Sequence, residues 1–204
     1  MERRDNYQIQ AQQAKNAFLQ FDQETLIRKL DLAADAEFLY PRMLSSTYRI
    51  CRKTGDFHRL ENGNWVDANT HAEVMTLLDL ICDSREDRFL THRWQNMLAF
   101  GHRFHRQLME ETDLNALYFE ANLEKFHRAC QALGGTPFPH CDAGYAIELF
   151  DGLAFAVQLW LGDEEFPPQL RYLLDENAPM YLKYETMHFA RGLLLKRIRE
   201  LMAR

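Results

Sequence analysis

Residues 143–161 read AGYAIELFDGLAFAVQLWL. Tyr145, Ile147 and Leu149 alternate with small or polar residues. After Asp151-Gly152 the alternation resumes with Leu153, Phe155, Val157, Leu159 and Leu161. Successive strand side chains point to opposite faces, so a period of two gathers the apolar set on one face. An Asp-Gly pair between two such runs supplies the positive-φ residues of a tight turn. The stretch therefore predicts an antiparallel hairpin with one face on a core.

Upstream of this hairpin, residues 114–133 carry Leu117, Tyr118, Ala121, Leu123 and Phe126 and predict one helix, stopped by Gly134-Gly135. Thr70 begins an earlier helix, because Glu73 three residues later completes a capping box, with Val74, Leu77, Leu78 and Ile81 as its apolar face. Residues 37–40, 43–52 and 56–60 predict strands of a meander, joined by turns at Thr54-Gly55 and Asn62-Gly63. Residues 7–31 predict a helix with a break near Phe21-Asp22, and a last helix runs over 183–202 behind Pro179. The segment 92–108 is ambiguous between strand and loop. The glycines are expected at turns. The order predicts an α+β fold: one antiparallel sheet, from N-terminal meander and C-terminal hairpin, packed with about four helices. A single domain is expected over residues 1–204.

Bulk composition narrows the function classes. At 204 residues and 47% apolar, a chain buries roughly 70% of its unfolded surface and needs no metal or disulfide for stability. The net charge of -6 argues against a nucleic-acid binder. No run approaches the roughly 18 apolar residues of a membrane helix. The charged, glutamine-rich start has no signal-peptide core, so the cytoplasm is the expected compartment. The four cysteines are scattered and read as thiols.

The run from Leu159 through Gly162-Asp163-Glu164-Glu165-Phe166-Pro167-Pro168, then Leu173 to Pro179, then Tyr184-Glu185, resembles the domain-of-unknown-function family numbered 3786. The resemblance extends to Gly134-Gly135, to Asp142 through Tyr145, and to Tyr48-Arg49-Ile50 with its Thr54-Gly55 turn. It implies a protein of anaerobic bacteria or archaea. Some similar proteins are fused to a small iron–sulfur domain, which implies anaerobic redox or corrinoid metabolism. This chain has no such cysteine cluster, so no iron–sulfur cofactor is implied for it. The resemblance supplies a family and no reaction.

Three segments could carry chemistry. Asp163-Glu164-Glu165 follows a core strand, where carboxylates could bind a hard cation with help from Asp175 or Glu176. The plainer reading is solvated loop charge. His140-Cys141-Asp142 offers a zinc-type or nucleophile–base set, or simply a loop with Asp142 bonded to backbone. The hairpin should bring Asp142 and Asp163 to one end. The third segment interleaves His92, Arg93, His102, Arg103 and His105 with aromatics, as an anion site would. Its plainer reading is an exposed strand whose arginines pair with excess acid. His58, His127 and His188 have no partner in sequence. No phosphate loop, nucleophile elbow or metalloprotease helix occurs, and no cofactor or metal site is expected. The favoured expectation is a non-catalytic binding or accessory domain for a small anionic ligand or a partner protein. The alternative is an enzyme, possibly metal-dependent, at loops 140–142 and 163–165. A third possibility is a structural or oligomerisation module.

Overall fold

The computed structural model describes residues 6–101 and 113–204. These divide into two compact units, one of residues 6–88 with 180–190 and the other of 89–101 and 113–179 with 191–204. The described residues contain six α-helices and two antiparallel sheets, so the fold is α+β.

In the first unit, α1 (Asn6–Phe18) and α2 (Gln23–Leu30) precede strands β1 (Ala33–Ala34), β2 (Phe38–Tyr40), β3 (Arg42–Met43), β4 (Ser46–Cys51), β5 (Phe57–Glu61) and β6 (Asn64–Asp67). The expected break falls at Asp22, whose carboxylate accepts from Glu24 N at 3.1 Å and caps α2. The sheet order is β1-β2-β4-β5-β6, with β3 beside β4. Residues 43–52 are two strands rather than one, since Leu44 and Ser45 adopt φ of 48° and 57° and make a two-residue turn. Such turns usually announce themselves by Asn or Gly; Leu-Ser does not. Leu39, Tyr48, Ile50 and Phe57 are buried on one face of the sheet. Helix α3 (His71–Leu78) begins on the capping box: Thr70 Oγ1 donates to Glu73 Oε2 at 2.7 Å and accepts from Glu73 N at 3.4 Å. Glu73 is buried and accepts from Arg59 Nη1 at 2.8 Å; Glu61 pairs with the same guanidinium.

The second unit is built on the hairpin. Strands β7 (Trp94–Asn96), β8 (Thr136–Pro137), β9 (Ala143–Phe150), β10 (Leu153–Trp160) and β11 (Gln169–Asp175) form a sheet in the order β7-β11-β10-β9-β8. Asp151 and Gly152, with φ of 49° and 79°, make the expected turn. Strand β11 lies outside the sequence expectation, although Leu170, Tyr172 and Leu174 alternate in it and are buried. It leaves β10 central, which explains why Ala156 and Gln158 are buried there along with Phe155, Val157 and Leu159.

The single helix expected over 114–133 is two, α4 (Leu114–Glu120) and α5 (Leu123–Ala132). The Asn122 side chain donates to Tyr118 O at 3.0 Å, and its backbone (φ -132°, ψ 42°) leaves the helix. Asparagine offers the chain this alternative to helical bonding. The last helix, α6 (Tyr184–Met202), supplies residues to both units. No described helix is long and apolar enough to cross a membrane.

Candidate functional site

In the second unit, α6 buries Leu193, Leu194, Ile198 and Met202 and leaves Gly192, Lys196 and Arg199 exposed. Here Gly192, Leu195, Lys196, Arg199 and Glu200, with Asn115 of α4, line an open hollow of about 600 Å³. Gly192 is the anomaly. A glycine inside a helix costs about 0.5–1 kcal/mol relative to alanine, yet nothing lies within 4 Å of where a Cβ would stand. Neither tight packing nor a turn explains it. What the glycine provides is room over the helix backbone.

Of the two cations beside it, Arg199 is held in a defined position. Arg199 lies over the Tyr118 ring, 5.0 Å from its centroid, and donates from Nη1 to Asn115 Oδ1 at 3.3 Å. Asn115 donates in turn from Nδ2 to Asp113 Oδ1 at 3.0 Å, and Asp113 also caps α4 through Asn115 N. Tyr172 of β11 donates to the other Asp113 oxygen at 3.2 Å. Burial, then the Asp113 charge, push the Tyr172 hydroxyl up, so it remains a donor. This relay fixes the amide and hence the guanidinium. Of the five donor N–H groups of an arginine, Arg199 engages only Nη1 among the described residues. Glu200 accepts from Arg197 at 2.7 Å and lies 3.8 Å from Lys196. The charged residues of the lining are Lys196, Arg199 and Glu200, a balance of one positive charge, with Arg197 beside Glu200 as a further cation. Cations in a last turn also suit the helix dipole, which accounts for Arg199 but not for Gly192.

The residues singled out from sequence lie elsewhere or outside the described residues. His102, Arg103 and His105 are in the second category. Arg93 is exposed and pairs with Glu176 through Nε at 2.8 Å and through Nη2. His92, at φ 58°, donates its N–H to Asp175 Oδ2 at 2.6 Å. Asp175, buried, also accepts from Thr91 and from Asn177 N. The register Ala143↔Leu159 puts loops 140–142 and 163–165 at one end of the hairpin. Asp142 accepts from Leu161 N at 2.8 Å, while Asp163 accepts from Glu165 N at 2.9 Å and Phe166 N at 2.8 Å. These last two donors hold the Asp163 carboxyl below its usual range. Cys141 donates to Phe138 O at 3.6 Å and sits over Gly144, where an added Cβ would stand 2.5 Å from the sulfur. Burial, then the Asp142 charge, push its thiol up. His140 and Glu165 are exposed. Among the described residues no group of three or more His, Cys, Asp or Glu could hold a metal ion. His127 finds its partner in the Tyr145 hydroxyl at 2.8 Å.

The hollow was legible only through Gly192. Glycine in the run Arg191-Gly192-Leu193-Leu194-Leu195 interrupts a strong helix former, and the expectation that glycines fall at turns fails there.

The fold and the hollow define an α+β protein with an open cationic depression on its last helix. Residues 22–197 match the family described as Domain of unknown function (DUF3786), and the chain belongs to that family. No curated protein and no solved structure matches the chain.

Proposed function

We propose that the protein is a non-catalytic binding domain whose ligand is a small anion seated in the α6 hollow. The observation that carries this reading is Gly192, a helix-weakening residue that leaves space beside two cations. A depression of this volume is within the range of metabolite sites. Arg199 is oriented beforehand by Tyr118 and Asn115, which lowers the ordering cost of gripping a carboxylate or phosphate. The carboxylates of Asp142 and Asp163 are spent on backbone donors, which weighs against an enzyme at those loops. Four free thiols suit the reducing cytoplasm in which we place the protein. Anaerobic metabolism, implied by the family resemblance, is the setting we infer.

Calorimetric titration with citrate and with inorganic phosphate tests the reading. Saturable binding to the wild type is expected, weakened about tenfold or more in Arg199→Ala, as for loss of a charged hydrogen bond. Absence of binding by any anion, or equal binding by Arg199→Ala, would contradict it.

A further inference from the structure

The first sheet has a second face. Phe38, Tyr40, Arg49, His58, Leu60 and Trp65 lie opposite the buried Leu39, Tyr48, Ile50 and Phe57. The cross-strand pairs Arg49↔His58 and Leu60↔Trp65 place four of the six side by side. Each of the six remains partly in contact with solvent, Leu60 at 39%. Aromatic residues and arginine are the types enriched at protein interfaces and at their energetic centres.

Arg49 is at the middle. Its guanidinium carbon lies 4.7 Å from the Phe38 ring centroid and 4.7 Å from that of Trp65. Two rings therefore lie against the guanidinium and take the place of part of its hydration. Among the described residues, its Nε is buried without a hydrogen-bond partner, as is Nδ1 of the cross-strand His58. No carboxylate pairs with Arg49 among the described residues, although the chain has 30 acidic side chains. A partly desolvated cation without a counter-charge is complementary to an incoming carboxylate, which it can grip along its edge. The face is a pleated surface, whereas small molecules favour concave sites. Four strands about 4.8 Å apart and five residues at about 3.3 Å each make it a few hundred Å². That is short of the roughly 800 Å² per partner of a standard interface, and matches a short segment.

We propose that this face docks a short acidic segment of a partner protein, with an Asp or Glu carboxylate on Arg49 and aliphatic neighbours on Trp65, Tyr40 and Leu60. This inference is independent of the anion hollow.

The test is selection from a phage-displayed random-peptide library on the full chain, followed by titration of a synthetic copy of the recovered peptide. Trp65 fluorescence, in a Trp94→Phe/Trp160→Phe background, reports binding at the face itself. Recovered sequences should be enriched in Asp or Glu beside Leu, Ile or Val. Affinity should fall about 30-fold or more in Arg49→Ala, as for an interface hot spot. Arg49→Lys, which keeps the charge but loses the planar fork, should fall between the two, and circular dichroism checks that both variants fold. Recovery of no binding peptide, peptides without acidic enrichment, or equal binding to Arg49→Ala would overturn the proposal. So would a concentration-dependent dimer abolished by Arg49→Ala, which would make the face a contact between two copies.

Discussion

Gly192 sets a stability preference against a binding preference at one position. Gly192→Ala should stabilise the protein by about 0.5–1 kcal/mol, because alanine suits a helix interior and meets no neighbour here. The same methyl narrows the hollow, so citrate or phosphate affinity should fall. Urea unfolding and calorimetry on one sample separate the two effects. Gly144 behaves in the opposite way. A Cβ there would lie 2.7 Å from Phe138 O as well as against the Cys141 sulfur, so Gly144→Ala should destabilise by about 1–3 kcal/mol. At Asp175, burial works to raise the carboxyl pKa. The donors of Asn177, Thr91 and His92 outweigh it and hold the carboxyl below its usual value. A group whose folded pKa is depressed contributes stability above its unfolded pKa, about 3.9, and loses it as pH falls through the folded value. Asp175→Asn should therefore cost about 1–3 kcal/mol at pH 7 through broken loop bonds. The gap to wild type should narrow at pH 3, measured by urea unfolding at both values.

Among the elements, those with a local chemical signature were legible in sequence. The 143–161 hairpin carried both its alternation and its Asp-Gly turn, and α3 its Thr70–Glu73 box. Elements decided by competition between bonds were not. Leu44-Ser45 turns without turn residues, because the register Arg42↔Thr47 closes around it. Asn122 splits α4 from α5 by one side-chain bond to Tyr118 O. Strand β11 had the right period, but its proline-rich approach obscured it. The hollow was fainter still: Asn115 and Arg199 meet only in space, and a lone helical glycine was its one trace in the chain. A buried ion pair in the first unit joins β5 to α3. Glu73→Ala would leave Arg59 buried with half its acid removed, and should cost about 3 kcal/mol. Loss under 1 kcal/mol in a denaturant titration would show that Glu61 and Tyr48 satisfy the guanidinium without Glu73.

Taken as a whole molecule, the chain carries a net charge of -6, yet its described hollow is cationic, and the half-exposed face of its first sheet centres on an arginine that pairs with no carboxylate among the described residues. Both features are positive points on an acidic protein, which favours selective capture of small or segmental anions over adhesion to polyanions. We propose that residues 1–204 fold as one domain. The same helix supplies residues 184–190 to one core and 191–202 to the other, so melting it disturbs both. A single calorimetric transition is the expected result. The anion site is the central claim, and a citrate titration followed by NMR, reading the Arg199 Nε and Gly192 amide resonances together, tests it most directly. Saturable shifts of both, with one dissociation constant, are predicted. Resonances that stay fixed while citrate reaches saturating concentration, or that yield to shifts confined to loops 140–142 and 163–165, would contradict it.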